Sequence, residues 1–226
     1  MENSKNSKNS KTLKEKLISI REPQPGKGLP LDIAASLLIL IFGTALGVFS
    51  KYIDGMPYDT TVLWQMIVAR LDLGNVLSEM PIWLLMALLI AVFSRSPFKA
   101  ALNVFLFFGG MCISYHICSV LLKGFDPGNY MLIWYGITLV SPLLGIICWY
   151  ARGGSLVSVL LDIPILTVMS HYCFSVGPFY FYLHSTLNTL MFLVTVAALY
   201  KTPRQILIST AAGILLSILL SQFMVF

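Results

Sequence analysis

The chain has 226 residues, 57% of them hydrophobic and 11% charged, with a formal net charge of +5 and a mean hydropathy of +0.82. Soluble domains carry roughly 25% charged residues, and here ten of the 25 charges fall within residues 1–29. Too few polar groups remain to cover a water-facing surface, which excludes a soluble globular domain. The basic surplus lies in the N-terminal stretch and marks membrane topology; it gives no sign of nucleic-acid binding.

In lipid every backbone polar group must be satisfied internally, so the choice is helices or a closed barrel. Barrel strands alternate over segments of about ten residues, whereas this chain has unbroken apolar runs near bilayer-spanning length. The expected fold is all-α: a polytopic transmembrane helical bundle with the lipid bilayer as its solvent.

Residues 1–29 read as a flexible basic cytoplasmic tail, and 30–226 as the transmembrane helical domain. The repeated Lys-Asn-Ser of the tail is too polar to bury a core, and Leu13 to Ile20 is the one stretch suited to a short amphipathic turn on the membrane. The polar stretch is too long for a cleavable signal peptide. Seven apolar segments follow, near 31–50, 80–95, 100–122, 130–150, 154–176, 179–200 and 204–226, giving about seven spans. Ser96-Pro97, Asp126-Pro127-Gly128, Gly153-Gly154, Gly177-Pro178 and Thr202-Pro203 punctuate them. Between spans 1 and 2 lies the one long connection, 51–79. Its Val62–Leu73 stretch reads as an amphipathic helix on the outer face, in the position of a lid.

Loop charges set the orientation. With the tail inside, Arg95, Lys99, Arg152, Lys201 and Arg204 join it on the inner side, leaving Lys51, Arg70 and Lys123 outside. Asp54, Asp59, Asp72, Glu79 and Asp126 also fall outside. The expected localisation is the plasma membrane, with the N-terminus cytoplasmic and the C-terminus outside.

Three histidines, His116, His171 and His184, reach a similar depth near the outer boundary when counted along their spans, with Tyr115 and Tyr172 beside two of them. They could form an outward-open pocket for a small polar ligand, a metal site, or simply the polar and aromatic belt of a membrane interface. No pair has i, i+4 spacing, so no metal is assigned. Asp162 is the only ionisable residue well inside a span, about 12 Å from the start at residue 154 and so near the middle. It serves either a pathway or a structural bond to a partner such as Asn103 or Asn188, and Pro164 kinks the helix beside it. Gly43 and Gly47 form a GxxxG helix-packing face, used inside the bundle or for docking a partner subunit through span 1. Cys112, Cys118, Cys148 and Cys173 all lie in apolar runs and read as buried thiols. HExxH, P-loop and GxGxxG patterns are absent, so no catalytic residues and no cofactor are expected.

The 51–79 connection and the Gly43/Gly47 pair together resemble, in layout, the substrate-capture subunits of energy-coupling-factor importers. That resemblance implies an inner N-terminus, substrate taken from outside under a lid between the first two helices, and docking through small residues of helix 1. Two features depart from it: seven spans in place of six, and no Ala-x-x-x-Ala docking pattern. The function expected is a solute-binding or transport subunit; the alternative is a non-catalytic scaffold or accessory subunit of a larger membrane complex.

Overall fold

The computed structural model describes residues 13–26, 28–57, 59, 61–124, 126–176 and 181–223. Five helices are long and apolar enough to cross a membrane: α2 (Leu29–Ile53), α6 (Pro97–Lys123), α7 (Gly128–Ala151), α8 (Leu156–Cys173) and α10 (Pro203–Phe223). Two apolar helices of 14 residues, α5 (Met80–Phe93) and α9 (Thr186–Leu199), run between the same two ends. At about 21 Å each they fall short of a 30 Å hydrocarbon core. One end of the bundle carries Arg21, Arg95, Arg152 and Arg204 (the basic end); the other carries Asp54, Asp72, Glu79 and Asp126 (the acidic end).

Local chemistry starts and stops these helices. The hydroxyls of Ser96, Ser155 and Ser185 accept from the backbone N–H groups of Lys99, Ser158 and Asn188, at 3.2, 3.4 and 3.0 Å, which is N-capping. Gly124, with φ of 61°, ends α6 in the left-handed conformation that glycine adopts without cost.

Two apolar cores share one wall. Helix α5 gives Leu85, Leu88 and Val92 to a core completed by α8, α9 and α10. It also gives Trp83 and Ala91 to a second core with α6 and α7. A helix apolar all round and buried on both sides is an interior helix. Helices α2 and α10 lie at the periphery, packed chiefly on α6 and α8, and turn apolar side chains such as Leu38, Ile41, Leu207 and Leu215 outward.

The α2–α6 contact uses backbone against backbone. A Cβ at Gly43 would overlap the Phe107 carbonyl, and one at Gly47 would overlap the Met111 carbonyl and Ser114 Oγ. From the other side, a Cβ at Gly110 would stand 2.7 Å from the Leu40 carbonyl. Ser114 Oγ seals the seam by donating to the Thr44 carbonyl at 2.9 Å. The GxxxG face is therefore filled by this chain's own α6. A partner docking on α2 has only its opposite, exposed face.

Three expectations change. The amphipathic stretch is two short helices, α3 (Leu63–Arg70) and α4 (Leu73–Ser78). They break at Asp72, which adopts φ of 52° and is the one non-glycine residue with positive φ among those described. The fifth span stops at Cys173 and passes into an antiparallel hairpin, β1 (Phe174–Val176) with β2 (Phe181–Leu183). Aromatic and β-branched residues favour such a ribbon; the Gly177-Pro178 turn lies outside the described residues. Finally, α1 (Leu13–Ile20) and the extended stretch to Gly26 are not a free tail. The Gly154 N–H donates to the Ile20 carbonyl (3.3 Å), the Gln24 N–H to the Arg95 carbonyl (2.8 Å), and the Arg95 guanidinium to the Pro25 carbonyl.

Candidate functional site

The three histidines have separate partners. His116, on α6, is hydrogen-bonded through Nδ1 to Tyr135 of α7 (2.7 Å) and through Nε2 to Asp126 (3.2 Å) in the α6–α7 connection. His171 is exposed on the last turn of α8, edge-on to the ring of Tyr172. His184 lies between β2 and α9, outside any helix, because its N–H closes the hairpin onto the Cys173 carbonyl (3.0 Å) and its Nε2 bonds Ser175 Oγ (2.7 Å). Among the described residues no group of three or more His, Cys, Asp or Glu side chains is placed to hold a metal ion.

Tyr115 belongs to a different cluster. Its hydroxyl donates to Asp54 Oδ2 at 3.3 Å, and Lys51 Nζ stands 5.1 Å from its ring centroid while pairing with the same carboxylate at 2.9 Å. Lys51 is a buried residue on the last turn of α2, not a loop charge. Its stem lies along the apolar surface and its charge is met by Asp54.

Asp162 is fully buried and lies two to three residues short of the midpoint of its helix. Helix α8 begins at Leu156, which puts Asp162 about 9 Å from its start. Its partner is neither Asn103, which bonds Ser36 and Ser94, nor Asn188, which bonds Glu79 and the Tyr172 carbonyl. Gln205 of α10 fills the role: its Nε2 donates to Asp162 Oδ2 at 3.4 Å and to the Gly153 carbonyl in the α7–α8 turn at 3.1 Å. This amide ties α8, α10 and the turn together near the basic end. The other carboxyl oxygen, Oδ1, has no hydrogen-bond partner.

A polar cleft lies at the acidic end, with a volume of about 860 Å³. One wall comes from α3, α4 and the start of α5: Arg70, Asp72, Asn75 and Glu79. The other is the hairpin and first turn of α9: Tyr182, His184, Ser185 and Asn188. Of the six residues expected from sequence to hold a ligand, His184 alone lines this cleft; His116, His171, Tyr115, Tyr172 and Asp162 do not. Sequence reasoning missed Arg70, Asp72, Asn75, Glu79 and Asn188. Charges spaced through an otherwise apolar 62–79 stretch were the available signal.

The cleft carries both signs of charge, yet Arg70 pairs with neither Asp72 nor Glu79, whereas Lys51 pairs with Asp54 and His116 with Asp126 elsewhere at this end. Asn75 Nδ2 holds both oxygens of Asp72, at 3.0 and 2.9 Å, fixing the carboxylate at the helix break. Asn188 is 6% exposed, and its Nδ2 reaches toward Glu79 Oε2 (3.5 Å), linking the two walls. Chemically, Arg70 and His184 can meet an anionic group while Asp72 and Glu79 meet a cationic one. No family model, no curated protein and no solved structure matches this chain.

Proposed function

We propose that this chain is an integral membrane solute-binding or transport subunit that takes a small polar ligand into the acidic-end cleft. One observation carries the reading: Arg70, Asp72, Glu79 and His184 line a single cavity, and Arg70 remains unpaired with either carboxylate. Opposite charges in one cleft without an ion pair between them, the carboxylates held only by the Asn75 and Asn188 amides, favour a solute bearing both an ammonium and an acidic group. The connection between α2 and α5 then acts as the movable wall, as the layout shared with energy-coupling-factor capture subunits implies.

The topology that goes with this function has seven crossings of the plasma membrane, the basic end cytoplasmic, and Phe226 outside. Charge asymmetry supports it: twelve basic residues fall on one side against three on the other, and one of those three, Lys51, is neutralised by Asp54. The short α5 counts as a crossing because protein surrounds it, so its length need not match the lipid. Impermeant thiol labelling of Asp126→Cys and Lys201→Cys in intact cells tests this arrangement, with only the first reacting from outside.

The function is tested by thermal-shift screening of the detergent-purified protein against amino acids, the matched simple amines and the matched carboxylic acids. A zwitterion should stabilise the wild type, and both Arg70→Gln and Glu79→Gln should lose that response. Silence across the whole panel, or a response surviving both substitutions, removes the cleft as the site. The scaffold alternative rests on the exposed apolar face of α2, with Leu37, Leu38, Ile41 and Phe42. Copurification of a second membrane subunit without any bound solute would favour it.

A further inference from the structure

The ion pairs Lys51–Asp54 and His116–Asp126 are on the acidic side of the molecule. At the basic end two guanidinium groups come together without a carboxylate. The Gly154 N–H donates to the Ile20 carbonyl at 3.3 Å, which lays Arg21 beside the turn that carries Arg152. Arg21 is then fixed from three directions: Nη1 donates to the Trp149 carbonyl (2.7 Å), Nη2 to the Val92 carbonyl (2.9 Å), and the guanidinium lies 4.4 Å from the Trp149 ring centroid. Arg152 lies 4.9 Å from the ring centroid of Phe93, the residue next to Val92. The two cations thus rest on aromatic platforms at the adjacent ends of α7 and α5.

Neither group is neutralised. Among the described residues no carboxylate lies within ion-pair distance of Arg21 or Arg152, and Arg152 has no hydrogen-bond acceptor. Neither Glu22, next to Arg21 in sequence, nor Asp32 makes a pair with either. A guanidinium offers five N–H donors, so the two carbonyls leave Arg21 with donors to spare. Burial first, then repulsion from Arg152, lowers the Arg21 pKa to about 10.

Paired, pre-positioned guanidinium forks recognise phosphate oxygens. Their place in the fold chooses the source. Phe93 and Ala151 are the last residues of two apolar helices, so the pair stands where an apolar bundle gives way to its polar surroundings, with the buried Trp149 beneath Arg21. We propose that Arg21 and Arg152 bind the phosphate of an anionic phospholipid headgroup, which fastens the N-terminal segment to the basic end of the bundle.

The test uses the full chain in detergent at low salt, with phosphatidylglycerol, phosphatidylcholine or inorganic phosphate added and bound species counted by native mass spectrometry. Phosphatidylglycerol should be retained over phosphatidylcholine, and Arg152→Gln should weaken that retention by about fivefold. Because Arg152 makes no hydrogen bond or ion pair among the described residues, Arg152→Gln should leave the lipid-free melting temperature unchanged or slightly raised, which separates lost binding from lost folding. Arg21→Lys, which keeps the charge but not the fork, should retain part of the preference. Equal retention of the two lipids, or wild-type retention by Arg152→Gln, overturns the proposal. Displacement of phosphatidylglycerol by millimolar inorganic phosphate also overturns it, since the ligand is then a free anion.

Discussion

The two ends of the bundle are built on opposite plans. At the basic end the helix connections are short, and their carbonyls are closed off by side chains: Arg21 on Val92 and Trp149, Trp149 Nε1 on Ser94 (2.8 Å), Gln205 on Gly153. At the acidic end the connections are long, one helix is broken at Asp72, a short hairpin replaces helix, and a cleft of about 860 Å³ stays open with charged groups not paired to each other. Recognition needs polar groups left available, and rigidity needs them satisfied. On the proposed function, dividing the two tasks between ends lets one chain meet both demands.

That contrast can be broken most severely from the closed end. Arg21→Ala strips two charge-assisted hydrogen bonds and a cation–π contact and uncaps two helices. Its half-burial tempers the loss, and about 2 kcal/mol of stability should disappear in a denaturant titration. A wild-type midpoint would mean that the N-terminal strap holds nothing together. Next comes Asp162. Asp162→Leu strands one Gln205 N–H and should cost about 1–2 kcal/mol, whereas Asp162→Asn should stay within about 0.5 kcal/mol. If Asp162→Asn also leaves ligand uptake intact, the residue is a strut of the closed end and takes no part in coupling.

The open end should respond in the opposite sense. Glu79→Gln should shift stability by less than about 0.5 kcal/mol while removing ligand-induced stabilisation, so a stability loss without a binding loss would reverse the assignment of the two ends. The smallest effect concerns acid. The Gly128 N–H, with His116 behind it, holds the Asp126 carboxyl below the usual carboxylate range, and Thr61 does the same for Asp59. Folded-state values below the unfolded ones mean that these groups stabilise above about pH 4 and lose that contribution as the pH falls through the depressed values. Both are fully exposed, so Asp126→Asn should only flatten the acid limb of a stability–pH curve slightly.

What the sequence revealed tracks range. Apolar run length is a local property, and the positions of the five long helices follow from it to within a few residues. Caps such as Ser96-Pro97 are local too. The cleft depends on two segments more than a hundred residues apart, and no periodicity brings Glu79 to Asn188. Depth counting put Asp162 close to the middle of its helix but could not name its partner, because Gln205 comes from another helix. The histidines shared a depth on paper, but equal depth on different helices says nothing about azimuth, and their partners turn out to be distinct. Composition described the tail as polar and unable to build a core. It could not show that one arginine would find two helix ends to cap.

The double burial of α5 has a consequence for how the protein is made. One side of this 14-residue helix is covered by α6 and α7, and the other by α8, α9 and α10, all of which are synthesised after it. Emerging from the ribosome, α5 is too short to hold itself across a bilayer and lacks the helices that bury both its sides. A nascent chain released before α8 therefore presents a half-solvated α5 flanked by a finished α2–α6–α7 unit. Such a fragment is the form that membrane quality control would meet. Degradation of C-terminal truncations should accordingly step down only once α10 is complete.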